Sequence, residues 1–157
     1  MTFFHYYQSP LGLIRLESDD HALTALIFCD KADEEQSELP VFEKADKWLE
    51  SYFRGTPYQP DFETRQPLTE FQRSVYQETV NIPYGSTVSY AEIARRIAVK
   101  RNIRRMSAQA VGQALGKNRL LLLMPCHRVI GADGSLGGFA GGSKLKENLL
   151  RHEGIII

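Results

Sequence analysis

Met124-Pro125-Cys126-His127-Arg128-Val129 places a cysteine and an adjacent histidine behind a proline, between the apolar run Leu120 to Leu123 and the pair Val129-Ile130. Pro125 fixes its own φ and restricts Met124, so the thiol is presented from a stiff backbone. A free thiol has a pKa of about 8.5, and a neighbouring base or cation raises its thiolate fraction at neutral pH. On these residues alone two readings stand level: a reactive nucleophile, or a small buried hydrophobe beside a surface histidine.

Working outward, Ala132-Asp133-Gly134 supplies a hairpin turn. Gly137-Gly138-Phe139-Ala140-Gly141-Gly142 follows, then a helix capped by Ser143 with Leu145 and Leu149 inward, ending at Arg151-His152-Glu153-Gly154. The glycine loop is no phosphate-binding P-loop, because that motif requires Gly-Lys-Ser/Thr and the order here is Gly142-Ser143-Lys144. It reads instead as a wall whose backbone can approach a ligand closely.

Upstream, Thr69-x-x-Gln72 is a capping box opening a helix with Phe71 and Val75 inward, and Pro83-Tyr84-Gly85 breaks the chain. Ser89-x-x-Glu92 opens a second helix continued by Ile93 and Ile97. A basic connector, Lys100 to Arg105, leads to a third from Ser107 to about Leu115, rich in Ala and Gly. Two short helices, the second lined with small side chains, fit a helix-turn-helix. Small residues serve close packing in a core equally well; the basic connector favours nucleic acid.

The first part of the chain has a different texture. Phe3 to Gln8, Leu13 to Glu17 and Leu23 to Phe28 read as strands, with Ser9-Pro10-Leu11-Gly12 as a turn. An acidic loop from Asp30 to Glu38 precedes a helix with Phe42, Ala45, Trp48, Leu49, Tyr52 and Phe53 at helical spacing, ended by Gly55. No catalytic constellation is visible there. The expected division is a first domain over 1–60, a linker over 61–68 and a second domain over 69–157.

The 157 residues carry no net charge, yet residues 1–70 hold 6 Lys/Arg against 14 Asp/Glu and residues 71–157 hold 13 against 5, balances of −8 and +8. One half is therefore suited to a polyanion; two solvated faces of opposite sign are the plainer alternative. No apolar run approaches the roughly 20 residues that span a bilayer. Two cysteines, Cys29 and Cys126, form no disulfide framework, so a reducing, cytoplasmic setting is expected.

With these pieces in place the chain resembles the O6-alkylguanine-DNA alkyltransferases. The resemblance rests on Pro125-Cys126-His127-Arg128-Val129, Phe71-Gln72-x-x-Val75, Pro83-Tyr84-Gly85, Val88-Ser89-Tyr90, Ala110-Val111-Gly112, Gly116-x-Asn118, Gly141-Gly142, His152-Glu153-Gly154 and Ser9-Pro10-Leu11-Gly12. It implies an α+β protein: an N-terminal ribonuclease-H-like α/β domain and a C-terminal winged helix-turn-helix domain carrying the cysteine. The implied reaction moves an alkyl group from O6 of guanine to the Cys126 sulfur, once per molecule and without cofactor. O4 of thymine is a second candidate substrate. The base is implied to be flipped from duplex DNA by a monomer bound in the minor groove.

The resemblance also implies roles. Cys126 is the acceptor, required as thiolate; His127 is its base through a water; Glu153 fixes the imidazole. Tyr90 donates to the guanine ring, Asn118 pins the turn, the Cys126 and Val129 carbonyls read the guanine amino group, and Ala140 contacts O6. Leu121, Gly137 and Phe139 line the pocket. Ser107, Ala108, Gln109, Ala110 and Arg105 face DNA, with Gln109 standing where well-known members place an intercalating arginine. Each has a plainer alternative: Tyr90 as a core tyrosine, Asn118 as a turn residue, Glu153 as a surface charge. Arg128 either contacts phosphate or caps local carbonyls. No structural metal is expected, since Asp19 stands where some members place a cysteine ligand. The competing function is a non-enzymatic damage sensor, which would replace the reactive cysteine; a plain regulator would not need Cys126, His127 and Glu153 together.

Overall fold

The computed structural model describes residues 1–139 and 141–157. It divides into two compact units, Met1–Gln66 and Pro67–Ile157.

The first unit starts with β1 (Phe3–Ser9), β2 (Gly12–Ser18) and β3 (Leu23–Cys29), an antiparallel sheet in that order. The Ser9 hydroxyl closes the first turn, donating to the Gly12 carbonyl at 2.6 Å and accepting from the Leu11 amide at 3.2 Å. Gly12 takes φ 138°, a value that side chains rarely adopt. α1 (Pro40–Phe53) has proline in its first turn, where a missing N–H costs nothing. Its buried stripe of Phe42, Ala45, Trp48, Leu49 and Tyr52 joins Ile14, Leu16, Leu23 and Leu26 in one core. Glu63 and Arg65 are not loose linker: their backbones bracket Leu23, with hydrogen bonds of 2.9 Å each way, and the Arg65 guanidinium pairs with Asp19.

In the second unit α2 (Glu70–Thr79) opens on the full capping box expected, with the Thr69 hydroxyl accepting from the Gln72 amide and the Gln72 side chain accepting from the Thr69 amide. β4 (Val88–Ser89) runs directly into α3 (Tyr90–Lys100). Ser89 caps α3, but the Glu92 carboxylate is bound by Arg95 and Arg96, so that cap is one-sided. α4 (Ala108–Leu115) is capped by Ser107, whose hydroxyl accepts from the Ala110 amide at 3.2 Å. α2, α3 and α4 pack together around Val75, Ile93, Ile97, Val111 and Leu115.

Cys126–Arg128 forms a 3₁₀ turn, and the strand after it, β5 (Val129–Ile130), pairs in parallel with β4. Two local expectations are corrected. The turn at 132–134 closes, with the Gly134 amide bonded to the Gly131 carbonyl, but no hairpin strand follows among the described residues. Across that turn the Gly131 amide donates to the Ser135 carbonyl at 2.7 Å. Ser143 is the first residue of α5 (Ser143–His152), not its cap; Gly142 holds that position at φ 93° with no side chain to offer. The β4–β5 pairing matters most for the site. It fixes Val88 opposite Val129 and so brings the first turn of α3 beside the residues that follow Cys126.

Candidate active site

The site is built on a turn that the chain would not adopt unaided. Leu122 has φ 69°, a left-handed conformation costing a leucine roughly 1–2 kcal/mol. Asn118 holds it: its side-chain oxygen accepts from the Leu120 amide at 3.0 Å, and its Nδ2 donates to the Met124 carbonyl at 3.1 Å. The same Nδ2 lies 3.4 Å from the Cys126 Sγ. Asn118 therefore shapes the turn and touches the sulfur at once.

Cys126 is 3 % exposed. Burial pushes its thiol up to about 11, against the opposing pull of the Asn118 hydrogen bond and the Lys146 charge. Enclosure therefore favours the protonated thiol, and the thiolate that the resemblance requires has to be formed against that burial.

His127 is fully buried, and burial pulls its pKa down even though Glu153 favours the charged form. Its Nε2 lies 2.5 Å from the Glu153 Oε2. Burial alone would raise Glu153, but hydrogen bonds from His127, Arg128 and the Gly85 amide outweigh it and hold the carboxyl at about 2. An ionised carboxylate at that distance requires a proton on Nε2. The Nδ1 is then the basic nitrogen, and it is buried without a hydrogen-bond partner among the described residues.

Arg128 is placed inward. It is 7 % exposed, donates to both Glu153 oxygens at 2.9 and 3.2 Å and to the Ile82 carbonyl at 2.8 Å, and lies over the Tyr84 ring. A phosphate contact is excluded by that burial, and the carbonyl-capping alternative is the one realised. The reason is charge balance: a buried glutamate beside a neutral histidine needs a cation.

Lys146 is the residue that sequence reading missed. It is fully buried on α5, and its ammonium donates to the Tyr90 hydroxyl at 2.9 Å, the Val129 carbonyl at 2.7 Å and the Gly138 carbonyl at 3.2 Å. Burial lowers it to about 8. The signal was present: positions 146, 149 and 150 share one helix face, and all three are buried. The Tyr90 hydroxyl also donates to Gly138, at 3.2 Å. A Cβ at Gly137 would come within 2.8 Å of the Tyr90 ring, so only glycine allows the loop this close.

An open hollow of about 440 Å³ lies between Tyr90, Gly138 and the α4 residues Ala108, Gln109, Gly112 and Gln113. Gln109 and Ala108 thus stand where α4 borders that hollow, whereas the Ser107 hydroxyl is engaged as a cap. Leu121 and Val129 are buried. Phe139 is half-buried and Arg105 exposed. Ala140 lies outside the described residues.

The fold and site define a helix-turn-helix domain with a sequestered thiol and, next to it in the chain, a buried imidazole bonded to a buried carboxylate. Residues 70–155 match the model for the DNA-binding domain of 6-O-methylguanine DNA methyltransferase, and residues 2–65 the model for its ribonuclease-like domain. The chain is 37 % identical over 161 residues to a methylated-DNA--protein-cysteine methyltransferase of Saccharolobus islandicus, covering all of this chain and 99 % of that one. It is also similar to the crystal structure of Mycobacterium tuberculosis O6-methylguanine methyltransferase, with TM-score 0.82 and 35 % identity over 98 % of this chain and 93 % of that one. A structure of the M. tuberculosis protein in complex with DNA matches at TM-score 0.81. The chain belongs to the 6-O-methylguanine DNA methyltransferase family.

Proposed function

We propose that this protein repairs DNA by moving a methyl or larger alkyl group from O6 of guanine in a duplex to its own Cys126, irreversibly and once per molecule. The observation that carries this reading is the series Asn118–Cys126, His127–Glu153, in which a buried thiol adjoins an imidazole whose free nitrogen is basic.

The Cys126 proton leaves toward His127 Nδ1 through a water, as the sulfur attacks the alkyl carbon in line. The C–O bond breaks as the C–S bond forms, and the electron pair goes to the guanine. Glu153 stabilises the imidazolium, and Arg128 keeps Glu153 ionised. The guanine anion needs a donor at its ring nitrogen, supplied by the Tyr90 hydroxyl once it turns from Gly138. Lys146, donating to the same phenol oxygen, makes that hydroxyl a stronger donor and fixes the Val129 carbonyl that would read the guanine amino group. Because the sulfur is sequestered, the nucleotide must be flipped out of the stack into the hollow beside α4. Gln109 would fill the gap it leaves, with the protein bound as a monomer in the minor groove. O4-alkylthymine presents the same leaving-group chemistry and is included as a second substrate.

The test is stoichiometry. Duplex carrying O6-methylguanine is supplied in excess and the repaired strand is counted. Repair should stop at one equivalent per protein. Continued turnover would refute the self-alkylation step, and no repair despite binding would favour a damage sensor.

A further inference from the structure

The connector between α3 and α4, residues 101–107, carries a feature that the reaction does not use. Asn102 takes φ 54° and turns the chain after α3, a conformation asparagine tolerates well. Beyond it lies a hollow of about 280 Å³ whose lining includes Ala98, Val99, Ile103, Met106, Arg104 and Arg105. Val99 is 67 % and Ile103 43 % exposed. The neighbouring cations are already engaged: Arg95 is bidentate on Glu92, Lys100 pairs with Glu78, and Arg101 donates to Ser74 over the Phe71 ring. Arg104 and Arg105 have no partner among the described residues, so two adjacent guanidiniums stand unneutralised on the rim of an apolar depression.

This hollow adjoins the reactive one along the chain at two places. Ala91 lines it next to Tyr90, and Met106 lines it two residues before Ala108. From that adjacency and charge we propose that the connector extends the DNA-contact surface beyond α4, with Arg104 and Arg105 each holding a backbone phosphate of the bound duplex and Ile103 and Met106 packing on the intervening deoxyribose. The proposal rests on the reading of duplex DNA as partner. It gives the cationic contact that Gln109, an uncharged residue on the recognition helix, does not supply. Guanidinium geometry suits phosphate, and an apolar floor suits the sugar between two phosphates.

Binding of fluorescent, unmodified duplex to the full chain, followed by anisotropy from low to moderate salt, tests this independently of the transfer chemistry. For R104Q/R105Q the slope of log K against log salt should become shallower by about 2, and by about 1 for each single variant. Ile103→Ser should weaken binding several-fold with its slope unchanged. Melting curves establish that the variants are folded. A folded R104Q/R105Q protein with the wild-type slope would overturn the proposal, as would a loss of affinity for it that is independent of salt. A wild-type protein that binds with the steep slope but never accepts a methyl group would instead refute the repair reading and leave this surface standing.

Discussion

Glu153 does three jobs with two oxygens: it fixes the His127 tautomer, neutralises Arg128 and ties Gly85 to the end of α5. Glu153→Gln removes the charge and leaves Arg128 buried and unpaired. It should cost about 3–5 kcal/mol in stability by denaturant unfolding and slow alkyl transfer by roughly 10²-fold. The same pairing sets an acid limit. Glu153 is held at about 2 when folded against an ordinary 4.5, so its contribution is complete above pH 4.5 and lost as pH falls toward 2. His127, whose pKa is lowered on folding, acts in the same direction below its ordinary 6.5. Melting temperature should therefore fall on acidification through both ranges, and Glu153→Gln should flatten the lower one. At the sulfur, alkylation by iodoacetamide in the absence of DNA should keep rising with pH toward about 11. A plateau near pH 7 would mean a resting thiolate.

At the scale of elements, the two-residue β4–β5 pairing and the inner face of α5 assemble the site from distant stretches of chain. Leu149 is fully buried on α5. Leu149→Ala should destabilise by about 2–5 kcal/mol through the cavity left behind. Lys146→Met keeps the bulk but releases Tyr90 and Val129. It should slow transfer from duplex and from free O6-benzylguanine alike, by about tenfold or more, because both substrates use the same reading groups. Helix spacing and turn residues made the helices and the three-stranded sheet legible in the sequence. Capping signals placed both helix starts; the box is complete where the Gln72 side chain has no rival partner and half-formed at Ser89, where Arg95 and Arg96 hold the Glu92 carboxylate. Tertiary pairing was not legible. Nothing local says that Val129 lies beside Val88, 41 residues earlier in the chain. Arg128 could be read as a surface cation only until Glu153 was found buried against it, 25 residues away. The raised pKa of Cys126 likewise comes from enclosure, which one stretch of sequence cannot report.

At the scale of the whole molecule, charge and chemistry fall in the same part of the chain. Residues 71–157 hold the balance of +8 and every residue of the reacting series, while the acidic part supplies none of it. Duplex binding should accordingly weaken steeply with salt. The most direct measurement is intact mass followed by peptide mapping after incubation with a duplex bearing one O6-methylguanine. The account predicts a gain of one methyl group per chain, located on Cys126 and absent from Cys126→Ser. Tight binding with unchanged mass, or a methyl group found on any other residue, would contradict it.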